Sequence, residues 1–174
     1  MKDRKLINLE LGRIDAAEYA ALPPSGIVVV LDNIRSAHNV GSIFRTSDAF
    51  KIDKVFLCGI SACPPSAEIH KSALGAENSV PWAHFDDTMA AVNVLHEEGY
   101  VVVSAEQTEN SVMLQDFRPE DGKRYAVIFG NEVDGVRQDV VDASDFALEI
   151  PQYGSKHSMN VSVSAGVVLW QFRR

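Results

Sequence analysis

Five polar side chains stand where they could do chemistry. Asn39 and Arg45 lie in HNVGSIFRTSDAF (38–50), Glu132 lies in FGNEVDGV (129–136), and Ser158 and Asn160 lie in IPQYGSKHSMNVSVSAG (150–166). A guanidinium grips a phosphate or a developing oxyanion and keeps its charge. A carboxylate braces neighbouring N–H groups, and hydroxyl and amide side chains donate and accept hydrogen bonds. Such a set positions and stabilises; it is not a nucleophile with its base, nor a metal cage. His38, His70, His84 and His96 are scattered and form no metal pattern. Cys58 and Cys63 make one C-x4-C pair with no second pair, which reads as two reduced thiols. Each candidate also has a plainer reading. Asn39 fits a helix N-cap, Arg45 a surface position, and Glu132 a turn carboxylate held by backbone amides. His157 reads equally as an acid or base and as a solvated loop residue.

The elements that hold these residues alternate between strand and helix. IVVVLD (27–32), KVFLCGI (54–60), VPWAHF (80–85), YVVVSAE (100–106), YAVIFG (125–130) and FALEI (146–150) read as six strands. The first is a continuous β-branched run, as a buried parallel strand should be. A helix is expected from His38 or Asn39, with Val40, Ile43, Phe44 and Ala49 inward. Others are expected around 67–74, within 86–99 with an acidic pair at its start, Met89, Val92 and Leu95 inward and Gly99 at its C-cap, and at 136–144. Segment 107–124 reads as a polar connection. Asp15 is a plausible N-cap for a helix over 15–22, inside a lead-in of residues 1–25. Periodicity alone does not decide 161–172; its small residues favour a buried helix. The sum is a single-domain α/β fold with a mainly parallel sheet flanked by helices. Two of its strands, 125–130 and 146–150, run into glycine-bearing polar loops, a usual way to build a ligand cleft.

Bulk properties exclude several classes. The 174 residues fit one domain, and the composition is 46% hydrophobic and 23% charged, as in a globular chain. No run approaches the roughly 18 apolar residues of a membrane span, and the first residues lack the apolar core of a secretory signal. A cytoplasmic setting is expected. The net charge of −8 argues against a general nucleic-acid coat. A local basic patch would draw on Arg13, Arg35, Arg45, Lys51, Lys71, Arg137, Lys156, Arg173 and Arg174. No G-x-G-x-x-G follows a strand, so an ordinary dinucleotide site is not expected. Gly130 and Gly135 are followed by Val136-Arg137 where a P-loop needs Lys and Ser or Thr. Neither G-x-S-x-G nor H-E-x-x-H occurs.

Taken together and in order, the three quoted stretches resemble the three motifs of the SpoU (TrmH-type) RNA ribose 2′-O-methyltransferases. The resemblance spans residues 27–172. It implies a C-terminal deep trefoil knot, a homodimer, and S-adenosyl-L-methionine bound in the knot without a metal. It assigns the methyltransferase domain to 26–174. Asn39 and Arg45 match the first motif, Glu132 the carboxylate of the second, and Ser158 and Asn160 the polar pair of the third. The cofactor would be held near Gly130, Asn131, Ile150, Gly154, Ser158 and Met159, with methionine where the family often has leucine. Arginine is a poor base, with a pKa above ~12. Arg45 therefore reads as the group that holds the neighbouring phosphate and stabilises the alkoxide, beside the family's reading of it as base.

The expected activity is methyl transfer to a ribose 2′-hydroxyl of RNA, with transfer RNA ahead of ribosomal RNA and no DNA or membrane partner. This chain shows neither the extra N-terminal RNA-binding domain of many ribosomal-RNA members nor the basic extensions of some transfer-RNA members. Two competitors remain at this level: a non-catalytic RNA-binding or cofactor-sensing knot protein, and a methyltransferase for a small molecule or protein.

Overall fold

The computed structural model describes residues 3–7, 10–12 and 14–174; Arg13 and part of the 1–25 lead-in lie outside the described residues. Seven strands form one sheet in the order β3-β2-β1-β6-β4-β7-β5, every pairing parallel. The strands are β1 (Ile27–Asp32), β2 (Lys54–Cys58), β3 (Trp82–Phe85), β4 (Val101–Ala105), β5 (Val112–Met113), β6 (Tyr125–Phe129) and β7 (Phe146–Glu149). The helices are α1 (Ala16–Ala21), α2 (Ala37–Ala49), α3 (Ala67–Ala73), α4 (Ala76–Ser79), α5 (Thr88–Glu97), α6 (Gln138–Ala143) and α7 (Val161–Arg173).

β1 shows why the sheet lies inside. All six of its residues are buried. Ile27, Val29 and Leu31 pack with Val40, Ile43 and Phe44 of α2, Ile69 of α3, and Ala165, Val168 and Leu169 of α7. Val28 and Val30 face the other way, onto Ala91, Val92 and Leu95 of α5 and Val140 of α6. A strand covered on both faces is apolar on both, since successive side chains point to opposite faces, and β1 is apolar from Ile27 to Leu31. Each fully buried branched side chain contributes roughly 1.5–3 kcal/mol.

Because all strands are parallel, their C-terminal ends share one edge of the sheet. Asp32 closes β1 there, and it is fully buried. Its carboxylate accepts from the Thr88 hydroxyl, the Asn33 amide and the Arg137 N–H. One buried group thereby ties the starts of α5 and α6 to the end of β1.

Several local expectations change. α2 starts earlier than His38, because Ser36 is its N-cap and accepts from Asn39 N at 3.3 Å. Asn39 is thus the third helical residue and not the cap. Ala49 is exposed, since it follows Ile43 and Phe44 off the inner face. Val92 and Leu95 are buried as expected, while Met89 is only partly covered and Glu98, not Gly99, caps α5. The 107–124 connection contains β5, which pairs with β7. A further short helix, α4, follows α3. Asp15 caps α1 with a reciprocal bond from Glu18, as its spacing suggests. α7 is a helix: Val161, Ala165, Val168, Leu169 and Phe172 face the core, and Val163, Val167 and Trp170 lie on its exposed side.

α2 and α3 approach at Gly41. A β-carbon there would sit 2.1 Å from Ser72 Oγ and 2.4 Å from the Ile69 carbonyl oxygen. A backbone oxygen cannot swing away as a side chain can. Gly41→Val is expected to cost about 1–3 kcal/mol by overpacking, read as a lower urea midpoint with an unchanged slope.

Candidate active site

The loops after β6 and β7 bound a cavity of about 520 Å³, within the range of small-molecule sites. β4 lies between those two strands in the sheet, so the residues that follow it also face the cavity. Phe129, Leu148, Ile150 and Met159 supply apolar wall. Glu106, Glu132, Asp134 and Glu149 supply carboxylates, and no lysine or arginine lines it among the described residues.

Residues from all three motifs meet at its edge. Glu132 accepts from Arg35 N at 2.8 Å, Ser36 N at 3.1 Å and Asn39 Nδ2 at 2.9 Å. Asn160 Nδ2 donates to Asn39 Oδ1 at 3.2 Å. Asn160 Oδ1 in turn accepts from Ser162 N at 2.9 Å, as N-cap of α7. The amide of Asn39 is oriented by this pattern: its nitrogen must face the carboxylate and its oxygen the neighbouring amide. Side chains 93 and 121 positions apart are joined in one chain of bonds.

The Glu132 carboxyl feels two opposed influences. Burial raises its pKa, and donation from the Arg35 N–H, the Asn39 amide and the Ser36 N–H more than offsets this, holding it below the ordinary 4.5. A carboxyl depressed on folding contributes stability above its unfolded pKa, and loses it as pH falls through the folded value. Wild type is therefore expected to lose more stability than Glu132→Gln between pH 6 and pH 3, compared by urea unfolding at each pH. Parallel pH curves for the two proteins would contradict this.

The glycines have steric roles. A β-carbon on Gly130 would fall 2.0 Å from Val136 N. Asn131 and Gly135 exchange both backbone hydrogen bonds at 2.9 Å, closing a tight loop. Gly135 has φ +72°, a left-handed conformation that favours glycine. Asn131 also donates to the Asn33 carbonyl at 2.7 Å and accepts from Val133 N at 2.8 Å.

Of the residues singled out from sequence, Gly130, Asn131, Glu132, Ile150, Ser158, Met159 and Asn160 line the cavity, as does His157. Asn39 reaches it through Glu132 and Asn160. Gly154 is exposed and outside the lining. Arg45 is exposed on α2, also outside the lining, and makes no side-chain hydrogen bond or ion pair among the described residues. Asn39 and Arg45 are six residues apart on one regular helix, so they diverge.

Residues 26–170 match the SpoU rRNA Methylase family. The chain belongs to that family. It is 32% identical over 160 residues to a 23S rRNA (guanosine-2'-O-)-methyltransferase, RlmB, of Neisseria meningitidis, covering 92% of this chain and 62% of the relative. An AdoMet-bound rRNA methyltransferase from Sinorhizobium meliloti superposes with a TM-score of 0.79 at 25% identity, covering 87% of this chain and 60% of that one. The A. aeolicus TrmH/SpoU tRNA modifying enzyme shares the fold, with a TM-score of 0.80 at 23% identity, over 91% and 79% of the two chains. The chain spans about six-tenths of the length of the first curated relatives it matches.

Two residues of this cavity had no place among the motif residues. Glu106 and Gln107 follow β4 and line the cavity. Gln107 Nε2 donates to the His157 carbonyl at 3.0 Å, tying β4 to the 151–160 loop. Their only sequence signal is a polar pair just past an apolar strand, at the sheet edge where ligands bind.

Proposed function

We propose that this chain transfers a methyl group from S-adenosyl-L-methionine to a ribose 2′-hydroxyl of RNA, without a metal, as a cytoplasmic homodimer. The observation that carries the reading is the bond chain Glu132–Asn39–Asn160, which joins the three motifs at the rim of one cavity. That cavity suits the donor: apolar side chains for an adenine ring and carboxylates for a sulfonium, with no arginine or lysine among the described lining residues opposing the charge. The trefoil knot and the domain span 26–174 belong to this proposal.

The donor, when bound, brings an activated methyl group, so the protein's work is positioning and electrostatics. Gly130, Asn131, Ile150, Ser158 and Met159 would hold it. Glu132 fixes Asn39, and Asn39 with Asn160 fixes the start of α7, so the loop carrying Ser158 is set relative to the cavity. Ser158 and Asn160 orient the ribose. Arg45 grips the phosphate beside the reacting sugar and stabilises the developing alkoxide.

The exposed side of α7 supports a dimer. Val163, Val167 and Trp170, 52%, 40% and 58% exposed, form one apolar stripe at helical spacing. α7 packs beside α2, and Trp170 lies against Phe50 at the end of α2. A second copy docked there lies alongside the helix that bears Arg45.

Transfer RNA is the first substrate proposed. Ribosomal RNA is the second reading, favoured by the similarity to the Neisseria 23S rRNA methyltransferase. Incubating the protein with labelled donor and separate transfer- and ribosomal-RNA fractions tests both. A 2′-O-methylated nucleoside in the digest of one fraction is expected; label in neither would end the proposal.

A further inference from the structure

Four carboxylates line the cavity, and three are otherwise engaged or turned outward. Glu132 already accepts from three donors of residues 35–39. Glu149 accepts the Ser111 hydroxyl at 2.6 Å. Asp134 is exposed. Glu106 differs in place and in support. It follows β4, which lies between β6 and β7, so it stands between the two loops that form the cavity's walls. Its Oε1 accepts from Gln107 N at 2.7 Å and its Oε2 from Val136 N at 3.0 Å. Two backbone donors therefore hold the ionised group in place and leave each oxygen a further acceptor site.

The loop across from it makes room for this carboxylate. A β-carbon on Gly135 would fall 2.2 Å from Glu106 Oε2. Any side chain at 135 would push the carboxylate away from Val136. The glycine thus serves two ends: its φ of +72° closes the loop, and its bare Cα leaves the anion where it stands.

We propose that Glu106 is the residue by which the cavity distinguishes a sulfonium donor from its neutral thioether product. The inference rests on the methyltransferase reading above. A fixed anion in a partly enclosed site, with no lysine or arginine among the described lining residues to neutralise it, attracts a positive sulfur and is indifferent to an uncharged one. Once the methyl group has left, that attraction disappears, and the product is held only by contacts common to both ligands. A residue that merely braced the loop would act on both ligands alike.

Titration calorimetry with S-adenosylmethionine and S-adenosylhomocysteine, on wild type, Glu106→Gln and Glu106→Asp, separates these cases. Glu106→Gln is expected to raise the donor Kd about tenfold and to leave the product Kd within about twofold. Glu106→Asp, with the charge drawn back by one methylene, should fall between Gln and wild type. Equal weakening of both ligands in the two variants overturns the inference and leaves Glu106 as a loop brace. Unchanged binding of both overturns it too. If wild type binds neither ligand, it is the methyltransferase reading itself that fails. Should Glu106→Gln not fold, Glu106→Asp alone decides by the same ratio of the two constants.

Discussion

Asn160→Asp is expected to fold as well as wild type and to lose methyl transfer by about a hundredfold. Aspartate is as good an N-cap as asparagine, so Ser162 N and Val163 N keep their acceptor at the start of α7. What goes is the amide donor that reaches Asn39 Oδ1. In its place comes a second carboxylate beside the Glu132–Asn39 pair, which repels the first. Asn39 then loses its fixed orientation, and the loop carrying Ser158 loses its register against α2. Small misplacements of reacting groups cost on the order of 100-fold in rate. Asn160→Ala should show the same loss of rate together with a stability loss of about 1 kcal/mol from the missing cap. Urea unfolding and initial rates on both variants check the split. Asn160→Asp working at the wild-type rate would mean that the three-motif bond chain is structural only.

Arg45→Ala is expected to reduce transfer by about 100- to 1,000-fold, the scale seen when one preorganised donor to a developing oxyanion is removed. Donor binding should not change, because Arg45 does not line the cavity. Stability should change by less than about 0.5 kcal/mol, as for an exposed side chain without partners. Arg45→Lys should recover only part of the rate, because an ammonium cannot make the paired contact of a guanidinium. The decisive comparison is single-turnover transfer against calorimetric donor Kd. An unchanged rate in Arg45→Ala would remove the arginine from the reaction.

Much of the architecture was legible in local pattern. IVVVLD declares a buried parallel strand because its first five positions are apolar and mostly β-branched, and β1 is buried throughout. Asp15 declares a helix start by residue type and place, and it does cap α1. β5 was not legible: two residues, Val112 and Met113, cannot display a period, and they are strand only because β7 is beside them. Asn39 was read as a cap on residue type, yet Ser36 takes that place and frees the amide for Glu132. The proximity of Asn39, Glu132 and Asn160 was available only through the family resemblance, since no local rule joins such distant positions. Glu106 was missed for a related reason. Its importance depends on β4 lying between β6 and β7, and strand order is a property of the whole sheet.

The bond between Asn39 and Asn160 also sets an order of events in the cell. One partner is made early and the other only after every strand of the sheet has been synthesised. Until residues 159–164 are made, the cavity lacks the wall that Met159, Asn160, Val161 and Ser164 supply. The same helix, α7, brings Ala165, Val168 and Leu169 onto the face of β1, so one late element completes both the core and the cavity.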